Sequence, residues 1–421
     1  MKIIFALLIS PILCFGQQLQ QLYSEAVSAY KAKEYKLFYR KIKEANKLHP
    51  YHQGIQYQLG LAAALTGNNT EAIAFLKKAI LTNADFVIEN NPDFKSIAGL
   101  KEFKALLDLQ KKWKASIVKS DTAFIVSDRQ LHVEGIDFDR KSNSFFLGSI
   151  HKRKVIRVDE NGLATDFCAS GFEGMTSVFG LKVDAKRSVL WVCSSPMEEM
   201  QNFDSTARSA VFKFNLKSGK LIQKYVASAT EPDGIFGDLM FNSKGEPFIS
   251  DGKNNNIIMV NEATGKLESI FSSSDFWNIQ GVALSADEKS LFISDYVKGI
   301  FKLDLTSKTL GEVKCPLDVS LKGIDGLYWY ENSLLAIQNG VNPFRLTRYY
   351  LNKEGTTIIK FEVLEKDHPA FNEPTLGTVR GNNFYYIANS QWSGYDKDHQ
   401  PKPAAQLQDI VVLKLLLSVK K

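Results

Sequence analysis

Between residues 134 and 392 the apolar and polar positions repeat one pattern. A Gly or an acidic residue leads into a short apolar strand. A polar turn follows, and a second strand then ends in small or polar residues. The clearest copies are residues 237–251 (GDLMFNSKGEPFISD), 281–295 (GVALSADEKSLFISD) and 325–337 (DGLYWYENSLLAI). Short strands repeated at a period of about 40–50 residues predict a β-propeller, here six-bladed and mainly β. In that fold the same position of every blade meets at one central mouth. The first candidate strand covers residues 122–126 and the last covers 409–416. Their place at the two ends predicts that they share one blade and close the ring, which removes two exposed sheet edges.

Residues 18–113 carry a helical period instead. Residues 59–65 (LGLAAAL), the turn 66–69 (TGNN) and residues 70–80 predict a helix–turn–helix pair with small residues where the helices cross. A weaker copy lies about 34 residues upstream, where Ala26 stands for Gly60, Ala45 for Ala79 and Pro50 for Ala84. That period and those small residues resemble tetratricopeptide repeats. A third helical stretch, residues 97–113, follows the turn at 90–94. The chain therefore divides into a start segment at 1–16, an α-helical tetratricopeptide-like region at 17–118 and the propeller at 119–421. The helices offer a groove for a protein partner, or a spacer that shields the main domain.

The start segment has a basic Met1-Lys2, an apolar run over residues 3–15 broken by Pro11, and small residues at 14–16. This is the pattern of an export signal with cleavage before Gln17, and it predicts a periplasmic or secreted protein. Leu13 before Cys14 argues against a lipoprotein. No other segment is apolar enough to cross a membrane. The remaining cysteines, Cys168, Cys193 and Cys315, are odd in number, which excludes a full disulfide framework. Buried free thiols are expected, with a Cys168–Cys193 bridge as the alternative. The net charge of +6 over 421 residues is modest, and no basic run points to nucleic acid. The chain has no Gly-x-Ser-x-Gly and no phosphate-cradling loop.

Function should then lie in the residues that open each repeat. These include Glu134, Asp238, Gln280, Asp325 and Glu373, which share one phase of different blades and should converge. Carboxylates crowded in a funnel repel one another unless compensated, and a divalent cation is the simplest compensation. An all-oxygen set suits Ca²⁺, Mg²⁺ or Mn²⁺ better than Zn²⁺. His132 adjoins this phase. Phe179, Trp277 and Trp392 lie near lead-ins and are expected to line the pocket and contact substrate, with core packing as the alternative.

On these residues the chain resembles the gluconolactonase and regucalcin family over residues 133–416. Glu134-Gly135 resembles the family's first-blade Glu-Gly motif. Gly237-Asp238 is similar to its Asn-Asp-Gly motif, Gln280-Gly281 to its Asn-Gly motif and Asp325-Gly326 to its Pro-Asp-Gly motif. The resemblance implies metal ligands at Glu134, Gln280 and Asp325. It implies that Asp325 assists water attack on a lactone or ester, with Asp238 as a substrate-contacting and catalytic carboxylate. Gln280 and Gly237 stand where the family has Asn, and Ile136-Asp137-Phe138 replaces its Pro-x-Trp. The expected function is an exported, metal-dependent lactone or ester hydrolase. The alternative is a non-catalytic binding propeller with the helices as docking module.

Overall fold

The computed structural model describes residues 11–417, with side chains from Gln17 onward. The expected export signal at 1–16 therefore lies outside the described side chains, and its first ten residues lie outside the described backbone. Two compact units are present: a helical unit that runs to Ala115 and a second unit that begins at Ser116.

The helical unit holds α1 (Pro11–Lys31), α2 (Tyr35–Leu48), α3 (Gln53–Leu65), α4 (Asn69–Thr82) and α5 (Lys101–Lys114). In α2, Phe38, Ile42 and Ala45 fall on one face and are buried. α3 packs on α4 through its small residues. A Cβ on Gly60 would sit 2.7 Å from Leu76 Cγ, so only Gly permits this approach. In α5, Phe103, Leu106, Gln110 and Trp113 form the buried face. Lys111, Lys112 and Lys114 in its last turn complement the helix dipole. These pairs establish a helical region; they do not establish the tetratricopeptide repeat.

The second unit consists of six four-stranded antiparallel sheets, which is the expected six-bladed propeller. Five blades run in chain order, and their inner strands are Val133–Asp139, Ser177–Asp184, Phe236–Phe241, Ile279–Leu284 and Ile324–Tyr330. The sixth blade has the order Gly377–Arg380, Asn383–Ile387, Ile410–Leu416 and Asp121–Val126. The two ends of the propeller thus pair as expected, with Val126 opposite Ile410 and Phe124 opposite Val412. Burial falls from the axis to the rim. Second strands such as Ser290–Asp295 are buried at every position, because neighbouring blades cover both faces. The fourth strand Ala164–Asp166 is exposed throughout.

The repeated lead-ins have two separate physical causes. The first is a bulge. Strand register slips between Val133 and Gly135, Val178 and Leu181, Phe236 and Leu239, Ile279 and Val282, and Ile324 and Leu327. Each slip falls on a lead-in residue, and a bulge re-aims the side chain that it carries. The second is close approach between inner strands. A Cβ on Gly281 would lie 2.5 Å from Leu327 N and 2.6 Å from Asp325 O of the next blade. Gly135 meets the Phe179 carbonyl in the same way.

The acidic residues that end second strands brace these lead-ins. Asp295 accepts backbone N–H bonds from Trp277 and from Asn278 (3.0 Å) on its inner-strand side, and from Val297 and Lys298 (both 2.9 Å) on its turn side. Asp251 does the same for Ile235 (3.0 Å) and Asn254 (3.1 Å). All three thiols are free: Cys168 and Cys193 are buried and Cys315 is partly so.

Gly281→Ala should destabilise the propeller by ~1–3 kcal/mol, the usual cost of overpacking. Gly237→Ala, whose Cβ would meet nothing nearer than Ser250 Oγ at 3.6 Å, should cost far less. Urea denaturation of both variants checks the contrast.

Candidate functional site

The bulged lead-ins meet at a cavity of about 430 Å³ at the mouth of the ring. Glu134, Asp238, Gln280 and Asp325 all line it, each from a different blade, and Glu373 and Phe179 join them. The convergence expected from the shared phase is therefore present.

Glu134 is buried. Its Oε1 accepts from Ser390 Oγ (2.8 Å) and from the Trp392 indole N–H. Asp325 Oδ2 accepts from Asn339 Nδ2 (2.7 Å), and Asn339 Oδ1 in turn accepts from the Tyr296 hydroxyl (2.9 Å). Burial, then the charge of Asp325, pushes the Glu134 carboxyl up to about 8. Burial first, and Asp238 after it, pushes Asp325 up to about 7, against the pull of the Asn339 hydrogen bond. No cationic side chain figures among the groups that set these two values.

Asp238 also lines the cavity, but backbone holds it. Its Oδ1 accepts from Leu239 N–H (2.8 Å) and its Oδ2 from Val282 N–H (3.4 Å) of the next blade. Burial raises its carboxyl, and Lys182 opposes the rise. Asp137 makes the matching link one blade pair earlier, to Val183 N–H (2.7 Å). Asp238 therefore ties blades together as well as facing the mouth.

Gln280 Nε2 donates to Asn278 Oδ1 (2.7 Å). That bond turns the amide oxygen toward the cavity, where it lies 3.7 Å from the point a Cβ on Gly237 would occupy. Two carboxyls and one amide oxygen thus share the floor. This all-oxygen set, with both carboxyls raised and no cation among the groups that act on them, fits a hard divalent cation. Among the described residues, no group of three or more His, Cys, Asp or Glu is placed to hold a metal.

Two expected residues are not part of the cavity lining. His132 is packed behind it, edge-on to Trp392 with ring centroids 4.3 Å apart. Its Nδ1 shares a hydrogen bond with the Tyr395 hydroxyl (2.7 Å), and burial pushes its pKa down to about 3. Burial keeps it neutral, and its Nε2 lies 3.9 Å from Glu134 Oε1. Trp277 is 38% exposed and carries the Lys298 ammonium over its ring at 5.4 Å. Its backbone N–H, tied to Asp295, is the part that serves the fold. Trp392 does line the cavity, as expected.

Sequence reasoning missed Asn278, Asn339, Tyr296 and Lys253. Tyr296 and Asn339 directly follow second strands, and Lys253 lies two residues after one. The recurring ends of those strands were the signal that could have found them.

No family model matches the chain, and no curated protein matches it. Solved structures resemble it in fold. The PQQ-bound form of aldose sugar dehydrogenase from Streptomyces coelicolor is 14% identical, with 72% of this chain and 99% of that chain covered, at a TM-score of 0.49. Regucalcin from Agrobacterium tumefaciens, described as a calcium-binding protein, is 15% identical (72% and 95% covered, TM-score 0.49). A gluconolactonase from Xanthomonas campestris is 11% identical (68% and 86% covered, TM-score 0.46).

A carboxyl whose pKa is raised by folding holds its proton more tightly in the native state. The stability it contributes is full below the ordinary carboxylate range, declines as pH rises, and is gone above about 8. His132, neutral when folded, is still partly protonated in the unfolded chain up to about pH 7.5; this opposes the loss below that pH and is the same in wild type and in Glu134→Gln. Chelator-treated protein should therefore lose melting temperature between about pH 6.5 and 8.5, and Glu134→Gln should flatten the loss. Thermal unfolding across that range is the check; an equal slope in both proteins would contradict the raised carboxyls.

Proposed function

We propose that the mouth binds a divalent cation, with calcium the best match to its oxygens, and hydrolyses a lactone or related ester. The observation that carries this reading is the meeting of Glu134, Gln280 and Asp325 in one cavity, where no cationic side chain is among the groups that set the state of the two carboxyls. Those three residues would hold the cation. Once bound, it would polarise a carbonyl oxygen and lower the pKa of water. It would also draw both carboxyls into their ionised form.

The chain's own residues supply the rest. Asn339 fixes one oxygen of Asp325, and Tyr296 fixes Asn339. The other Asp325 oxygen has no hydrogen bond to the described residues and belongs to a cavity-lining side chain. That oxygen of the ionised Asp325 can take a proton from the attacking water and return it to the leaving alkoxide. Water adds to the carbonyl carbon, the bond from that carbon to the alkoxide oxygen breaks, and the alkoxide takes up the proton, giving a carboxylic acid and an alcohol. Phe179, Leu376 and Trp392 form an apolar wall that packs the body of the substrate. Export rests on the amino-terminal run of the sequence, and a tetratricopeptide-like docking role for the helices rests on their small-residue spacing.

One observation favours a second reading. Ser390 and Trp392 already satisfy an oxygen of Glu134. A carboxyl supplied with protein donors has less need of a cation, as suits a non-catalytic, ligand-binding propeller.

Elemental analysis of the purified protein, combined with a lactone panel, separates the two. The hydrolase reading expects a bound divalent cation and lactone turnover that falls about 10²–10⁴-fold in Asp325→Asn, the range for losing a general base. Absence of metal together with equal inactivity of both proteins would sink it.

A further inference from the structure

The mouth cavity does not end at its own rim. A second cavity of about 520 Å³ shares Met197, Ile235 and Lys253 with it. The two are therefore neighbours across those three side chains, and Lys253 stands at their junction.

Lys253 is chemically singular there. The other charged side chains lining the mouth are the acids Glu134, Asp238, Asp325 and Glu373, and Lys253 is the one base among the described lining residues. The cations of the second cavity are already engaged. Arg208 donates to the Glu231 carbonyl (2.8 Å) and lies 3.5 Å from an Asp233 oxygen. His399 sits between Glu198 (2.7 Å) and Glu199 (2.8 Å). The Lys253 ammonium makes no hydrogen bond or ion pair with the described residues. Its backbone is nonetheless fixed, because its N–H donates to Asp251 (3.2 Å), the same carboxylate that braces Ile235 and Asn254. A lysine whose backbone is held and whose charge is unpaired costs little to reorganise when an anion arrives. The same lining holds apolar side chains, Ile235 and Phe179 among them.

We propose that Lys253 is a specificity residue that selects substrates bearing a carboxylate, held away from the reacting carbonyl by an apolar segment. This rests on the hydrolase reading of the same cavity. An anion paired with Lys253 is seated in one orientation, with its charge at the rim and its carbonyl toward Asp325.

The test uses a lactone carrying a free carboxylate and its neutral primary-amide counterpart, with wild type, Lys253→Met and Lys253→Arg. Wild type should favour the carboxylate in kcat/KM by about tenfold or more, the scale of one charge-assisted contact. In Lys253→Met that ratio should fall toward one, chiefly through KM, and Lys253→Arg should restore much of it. An equal preference in wild type and Lys253→Met overturns the proposal. Calorimetric binding of the non-hydrolysable carbocyclic analogues of both compounds keeps the two readings apart. A carboxylate preference lost in Lys253→Met supports the role of Lys253 even where no lactone is turned over. Equal affinity for both analogues in wild type overturns that role even where lactones are hydrolysed.

Discussion

The inner strands of neighbouring blades approach more closely than a Cβ allows, and the mouth of this propeller follows from that constraint. Glycine stands at these contacts, as Gly135 does against Phe179 and Gly281 against Asp325 and Leu327, except in the third blade, where Asp238 holds the equivalent position. The residue before each glycine then sits in a bulge and turns toward the axis. Glu134 and Gln280 are placed in this way, and Asp325 is placed by the same device at Gly326. Packing the ring tightly and aiming three oxygen-bearing side chains at one cavity are thus a single structural event.

The acidic residues near the axis divide into two kinds. Asp251 and Asp295 end second strands and spend their oxygens on backbone N–H groups, which brace the lead-ins. Asp137 and Asp238 reach across to the next blade's backbone. Such carboxylates are compensated by the fold itself. Glu134 and Asp325 are compensated only in part, by a few side-chain donors, and each raises the cost of ionising the site. The braced acids build the funnel, and the two that are only partly compensated are those on which the proposed chemistry rests.

The ring was legible in the sequence because period-2 alternation and its punctuation recur in every blade. The closing pair at the chain ends was legible for the same reason, since an apolar strand at each end needs a partner. The phase argument also found Glu134, Gln280 and Asp325, because a repeat forces equal positions to equal places. It failed where adjacency in sequence was taken for a place on the cavity wall. His132 Nε2 comes within 3.9 Å of Glu134 Oε1, yet its ring packs against Trp392 and does not line the cavity. Trp277 precedes Gln280 by three residues, yet only its backbone turns inward. Asn339 and Tyr296 were missed because they follow second strands, whereas the phase argument considered only the residues that open each repeat. Asp238 shows the limit of motif reasoning: its position was right, but its hydrogen bonds reveal a structural duty that no spacing discloses.

The central claim is that Glu134 and Asp325 keep their protons near neutral pH because a cation is the partner they lack. Calorimetric titration of Ca²⁺ into chelator-treated protein near pH 7, in buffers of different ionisation enthalpy, tests it most directly. The account predicts binding accompanied by proton release, and smaller release in Glu134→Gln. Absence of binding, or binding with no proton released, would contradict it.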